Sequence, residues 1–168
     1  MTWTTSSVPY VVPPRPGEAD AWTQAGGGQR LLSVSVAKAP ADVREALQLA
    51  DGAEVVRRSR LILLDGDPME VATSYWPAEW AAGTPLAETK PVKGGTIRLL
   101  ADMGWITAKS IEDVDAVLSD EANVPHAPAR TALLAIYRTM LTADGVPFEH
   151  CAMHRWNRQR QRYVLELI

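Results

Sequence analysis

The stretch DVREALQLADGAEVVRRSRLILLDGDPMEVATSYW, residues 42–76, decides the fold because it occurs twice. Residues 119–156, SDEANVPHAPARTALLAIYRTMLTADGVPFEHCAMHRW, run through the same features in the same order. In each copy a helix-like segment leads into an apolar strand, an Asp-Gly turn (Asp65-Gly66, Asp144-Gly145), a proline (Pro68, Pro147) and a glutamate (Glu70, Glu149). Asp-Gly between two apolar runs is a strong short-range hairpin signal. The repeat therefore predicts two helix-plus-hairpin halves around one core, with an acidic residue placed equivalently in each.

The flanking segments complete the sheet. Arg30 to Val36 alternates weakly and predicts a first strand, and Pro40 followed by ADVREALQL predicts a short helix ending at Asp51-Gly52. Pro77 ends the first hairpin, and Ala78 to Ala82 make a helical turn. Thr96 stands as N-cap of a helix through IRLLADMGW, with Gly104 as its terminator. Further strands are predicted over 105–114, 131–142, 148–156 and 162–168, with a weak helix over 118–124. Hairpins rather than helical crossovers join most neighbours, so the class is α+β, with a mostly antiparallel sheet and flanking helices. Residues 1–29 hold Pro9, Pro13, Pro14, Pro16 and the run Gly26-Gly27-Gly28, and read as an arm or linker ahead of a domain over 30–168.

A chain of 168 residues suits one domain with a real core. Hydrophobic residues make up 46% and charged residues 22%, as in ordinary globular proteins. No apolar run approaches the ~20 residues of a membrane helix, so no membrane association is expected. The opening MTWTTSSVPY has neither a basic nor an apolar leader region, which makes a cytoplasmic location the expectation. A net charge of −3 and a pI of about 5.6 argue against a nucleic-acid surface, which needs clustered Lys and Arg. Only HRWNRQRQRY, residues 154–163, is locally basic, and it reads as a solvated hairpin end between two strands. The single cysteine, Cys151, reads as a small buried hydrophobe rather than a reactive thiol.

Strand alternation places Arg58 and Arg60 on one face with Val56, Ile62 and Leu64. Two guanidinium forks beside an apolar wall suit a small anion with a hydrophobic body; the same pattern also fits arginines snorkelling at a sheet rim. Glu70 shares a face with Ala72, Ser74 and Trp76, and Glu149 with Cys151, Met153 and Arg155. A carboxylate among apolar neighbours needs a partner. Each glutamate can receive a ligand's hydroxyl or amine, act as an acid or base, or pair with Arg58, Arg60 or Arg138. Gly94-Gly95-Thr96 at a helix start offers backbone N–H groups to an anion. His150 and His154 fall on one face of a strand but about 13 Å apart at ~3.3 Å per residue, so no shared metal is expected. No G-x-S-x-G elbow, P-loop or G-x-G-x-x-G fingerprint is present, and no cofactor is expected. Most of the six tryptophans read as packing residues.

The segments VVRRSRLILLDGDPMEVATSYWP, GGTIRLLADMGW and LTADGVPFEHC, followed by RYVLEL, together resemble the UTRA domain, the effector-binding domain of GntR-family transcription regulators. Its fold is similar to chorismate lyase. The arm PYVVPPRPGEADAW resembles the linker that precedes such domains, and the winged helix that such regulators carry before the linker has no counterpart in these residues. The resemblance implies a pocket for a small metabolite, a homodimer and no direct nucleic-acid contact from this chain. It makes Arg58 and Arg60 the paired anion-binding arginines, Thr96 the residue that opens a helix onto the ligand, and Glu149 a ligand-facing glutamate. Glu70 and Lys109 match further positions. Where sugar-phosphate binders tend to have a tyrosine after the last glutamate this chain has His154-Arg155-Trp156, and where a tyrosine often follows the helix opening it has Arg98, which argues against a sugar phosphate; the expected effector is anionic and carboxylate-bearing. The alternative implied by the same fold is a stand-alone lyase or cyclase, with Arg58 and Arg60 on a substrate carboxylate and Glu149 or Glu70 as the acid or base.

Overall fold

A computed structural model describes residues 2–15, 18, 27–122, 124–156 and 160–166, and among these eight strands and four short α-helices alternate along the chain. The strands are β1 (Thr2–Thr5), β2 (Gly27–Lys38), β3 (Glu54–Leu64), β4 (Asp67–Pro77), β5 (Lys109–Leu118), β6 (Ala132–Leu141), β7 (Pro147–Arg155) and β8 (Tyr163–Glu166). The helices are α1 (Ala41–Ala46), α2 (Ala78–Ala81), α3 (Thr96–Asp102) and α4 (Ser119–Ala122), with single 3-10 turns at Val8–Tyr10 and Pro85–Ala87. Among the described residues, no helix is long and apolar enough to cross a membrane.

Six strands form one antiparallel sheet in the order β2-β3-β4-β7-β6-β5. That order reads as two copies of an outer strand, a helix and a hairpin (β2-α1-β3-β4 and β5-α4-β6-β7), joined back to back where β4 meets β7. The internal repeat is thus a pseudo-two-fold axis, and the class is α+β with a chorismate lyase-like arrangement of antiparallel sheet and flanking helices. The first hairpin turns on Asp65 and Gly66, both at positive φ (51° and 89°), the backbone that an Asp-Gly pair adopts readily. The second turn is longer than its Asp144-Gly145 pair implies. β6 ends at Leu141 and β7 begins at Pro147, with Thr142 and Val146 closing the loop through a backbone hydrogen bond of 3.0 Å.

Three expectations are corrected. The strand expected over 105–114 lies at Lys109–Leu118, because Trp105 leaves the sheet to stack on Trp80 (4.7 Å) and Phe148 (5.7 Å). β5 is an exposed edge strand of mixed polar sequence, so alternation gave its start no signal. The last strand, β8, pairs with β1 and not with β7, so the basic stretch before it does not close a hairpin; its residues 157–159 lie outside the described residues. The segment expected to be an arm contributes β1, the 3-10 turn and, from Gly27, the start of β2, while Pro16, Trp22 and Gly26 lie outside the described residues.

Both faces of the sheet are covered. On one, Leu61, Val71, Leu133 and Trp156 form one buried cluster, and Val43 and Leu47 from the α1 segment pack with Val55 and Tyr75 in another. The other face carries two separate apolar clusters. Val56, Trp76, Met140 and Phe148 pack under α2 and α3, and Ile62, Ala72, Ile136, Cys151 and Met153 form the second. Charged side chains fill the space around them.

Candidate functional site

On this second face lies a cavity of ≈ 90 Å³, walled by β3, β4, β6 and β7 and roofed by the start of α3 and by the arm residues Pro9, Tyr10, Val12 and Pro14. Strand alternation brings Arg60, Glu70, Arg138, Glu149 and Arg155 into its wall, because each points to the same face from its own strand. Thr96 and Arg98 close it from α3. Of the residues singled out in the sequence, Arg60, Glu70, Thr96, Glu149 and Arg155 therefore meet in one place. Arg58 and Lys109 do not line this cavity.

Arg58 is 3% exposed and donates to the carbonyls of Leu86 (3.3 Å), Glu88 (2.7 Å) and Lys90 (2.5 Å). Its guanidinium ties the 85–90 segment to β3 and borders a neighbouring cavity of ≈ 40 Å³. Burial, then the charge of Arg60, lowers its pKa. Lys109 is exposed at the first residue of the edge strand β5, opposite Leu141. Thr96 is the first helical residue rather than the cap. The cap is Gly95, whose φ of 87° and ψ of 158° suit glycine alone, and Gly94 before it also has positive φ (77°). A Cβ on Gly94 would come within 3.1 Å of Arg98 Cδ, so glycine lets the Arg98 side chain pass. Arg98 then donates to the carbonyls of Pro14 and Arg15, 2.8 Å each, and holds the arm over the cavity.

The two repeated glutamates meet different fates. Glu70, 1% exposed, accepts from Arg155 Nε in a buried ion pair. Arg155 also donates to Gln161 Oε1 (3.0 Å), and Gln161 donates to Thr5 Oγ1 (2.9 Å) and Ser7 Oγ (2.7 Å), so the pair is linked to the arm. Glu149, 5% exposed, has no ion-pair partner among the described residues and accepts from Trp76 Nε1 at 3.1 Å. Burial raises its pKa against the opposing effects of Arg60, the Ser74 and Trp76 hydrogen bonds, and Arg138. Its proton is thereby held more tightly than that of an ordinary carboxyl. Beside it the Cys151 thiol is pushed up to about 11 by burial and by Glu149, which leaves it unionised.

Arg138 is the residue that sequence reasoning missed as part of the wall. The sequence offers it only as an ion-pair partner for Glu70 or Glu149, and its partner is Glu112, at 2.8 Å from Nε to Oε1. The signal was present in the repeat but displaced by one position. Arg60 stands five residues before Asp65, and Arg138 six before Asp144. The longer second turn absorbs the extra residue, so Arg60 faces Ala72 and Arg138 faces Cys151, and these are matching positions of the two copies. Both arginines keep a buried donor with no hydrogen-bond partner among the described residues: Arg60 Nε and Arg138 Nη2. His150 and His154 belong to the other face. His150 Nδ1 lies 3.0 Å from Thr139 Oγ1, the His154 ring meets Tyr137 edge-on at 6.0 Å, and burial lowers both pKa values.

Comparison with known proteins gives one consistent result. The UTRA domain family matches residues 27–160. An uncharacterized HTH-type transcriptional regulator of Streptomyces coelicolor is 32% identical over 126 residues, covering 72% of this chain and 47% of that protein. The chain thus spans about half the length of this curated relative. Among solved structures, the effector domain of PhnF from Mycobacterium smegmatis superposes with a TM-score of 0.66 at 22% identity, covering 79% of this chain and 82% of that one. PhnF itself superposes at 0.69 with 21% identity, covering 86% of this chain and 67% of that one. A ligand-binding domain described as that of a GntR-family regulator from Bordetella bronchiseptica superposes at 0.67 with 22% identity, covering 84% and 91%. At these identities the superpositions establish the fold.

Proposed function

Because the chain belongs to the UTRA domain family, we propose that it is the effector-binding domain of a GntR-family transcription regulator and that its cavity receives a small anionic metabolite bearing a carboxylate. The observation that carries the ligand class is the pair of buried guanidinium donors without a partner among the described residues, Arg60 Nε and Arg138 Nη2, in the wall of one cavity. A buried donor without an acceptor costs on the order of 1–3 kcal/mol, and an anion entering the cavity removes that cost at both arginines. A carboxylate offers two acceptor oxygens and matches the guanidinium fork. Thr96 and Arg98 complete the wall from α3, and Glu149 can accept from, or when protonated donate to, a polar group of the ligand.

Native mass spectrometry of the purified chain tests this reading. A single acidic metabolite is expected to co-purify unchanged, and Arg60→Gln is expected to lose it while keeping the wild-type circular dichroism. A retained metabolite in Arg60→Gln, or a neutral one in the wild type, overturns the anion assignment. Glu149, a buried carboxyl whose pKa is raised by burial, also supports the enzyme alternative, in which it protonates a substrate held by the arginines. Accumulation of a product from host extract, abolished in Glu149→Gln, would select that alternative.

The remaining parts of the proposal concern partners and place. A second copy of the chain is supported by the open β5 edge, where Ile111, Val114 and Leu118 are exposed, and sedimentation is expected to give a dimer. DNA contact is assigned to other parts of the regulator, in keeping with the net charge of −3 here, and a cytoplasmic location follows from that role.

A further inference from the structure

Arg60 and Arg138 occupy matching positions of the two halves, yet each is tethered on its own. Arg60 Nη2 donates to Ser74 Oγ at 2.9 Å, on β4, whereas Arg138 Nε donates to Glu112 Oε1 at 2.8 Å, on the edge strand β5. In the sheet order, β7 and β6 separate β4 from β5. The backbones that carry the two tethers therefore lie about 14 Å apart, at ~4.8 Å per strand step. Each guanidinium is thus held toward a different strand and keeps an unpartnered donor of its own among the described residues. Arg138 is 6% exposed and lines the cavity, and the Nη2 it leaves unpartnered has no other acceptor among the described residues. The other two arginines of the wall are already engaged, Arg155 by Glu70 and Gln161 and Arg98 by the Pro14 and Arg15 carbonyls.

We propose that the cavity contains two separate anion subsites, one on Arg60 and one on Arg138, and that its ligand is a short metabolite with an acid group at each end, laid across β7 over Cys151 and Glu149. This rests on the reading of the cavity as an anion site and names the class of ligand that would occupy it. The size agrees. At about 10–15 Å³ per water-sized group, the cavity has room for roughly six to nine such groups, the scale of a short dicarboxylate. Glu112 balances the charge of Arg138 but reaches only its Nε, so the second acid group satisfies a donor rather than a net charge.

Isothermal titration of the full chain with succinate, glutarate and adipate, alongside butyrate, valerate and hexanoate, tests the proposal. At least one dicarboxylate is expected to bind about tenfold or more tighter than the monocarboxylate of equal length, the effect of one added charge-assisted hydrogen bond. Arg138→Gln is expected to bring that ratio close to one. Should Arg138→Gln fail to fold, because Glu112 is left unpaired, the double variant Arg138→Gln/Glu112→Gln removes both charges of the pair and serves instead. Equal binding of mono- and dicarboxylates by the wild type, or a ratio that survives the Arg138 variants, overturns the second subsite and leaves the single-anion reading standing. Binding of neither class overturns both readings.

Discussion

The two halves of the sheet place a glutamate and an arginine at matching positions, but treat the glutamates differently. In the N-terminal half, Glu70 on β4 faces Arg155 across the β4–β7 pair and is held as an ion pair. In the C-terminal half, Glu149 on β7 is met by Trp76, the residue that matches Arg155 in the repeat, and receives one indole hydrogen bond. The backbone positions agree; one cross-strand side chain differs. A guanidinium can compensate a buried carboxylate charge, whereas an indole N–H supplies a hydrogen bond and no charge. The symmetric sheet thereby yields a cavity with one fixed structural pair and one carboxyl free to change state.

The comparison breaks most visibly at Arg155. Arg155→Leu leaves Glu70 buried and uncompensated, and urea unfolding should register a loss of about 3–5 kcal/mol. Trp76→Phe removes the matching donor in the other half and should cost about 1–3 kcal/mol by the same measurement. Equal losses would mean that the two carboxyls are held alike. Next in size is the contrast between neighbouring arginines. Arg58→Ala removes the donor to three carbonyls, that of Leu86 buried, and should destabilise by about 2 kcal/mol or more, while Arg60→Ala should change stability by less than about 1 kcal/mol and act on ligand binding instead.

A smaller effect follows from protonation. The pKa of Glu149 is raised in the folded state, so the proton is held more tightly there than in the unfolded chain. The stability this contributes is complete below the ordinary carboxyl value of 4.5 and is lost as pH rises through the raised value. Glu149→Gln cannot lose the proton, and its melting temperature should fall less between acidic and neutral pH than that of the wild type. The smallest expected change is at Arg98, where Arg98→Ala releases the arm at a cost within about 0.5 kcal/mol, visible mainly as faster ligand exchange in stopped-flow binding.

Much of this arrangement was legible in the sequence. The Asp-Gly turn, the β3 and β4 runs and the repeated glutamates fix strands whose alternation sends Arg60, Glu70, Glu149 and Arg155 to one face. What escaped was set by long-range structure. The different turn lengths shift Arg138 by one position against the repeat, and in a strand one position reverses the face. Nor does local pattern reveal that the carbonyls of Leu86, Glu88 and Lys90 converge on Arg58, since they come from a segment some thirty residues away. The pairing of β1 with β8 joins the two ends of the chain, where apolar periodicity is weak.

Carbon-13 NMR titration of the side-chain carboxyls, with Glu149 assigned by comparison with Glu149→Gln, tests the central claim most directly. Glu149 should titrate above the ordinary carboxyl range in the free protein, and higher still once glutarate is bound, because a neighbouring anion disfavours its charged form. A Glu149 midpoint in the ordinary range that does not move with the anion would contradict the account.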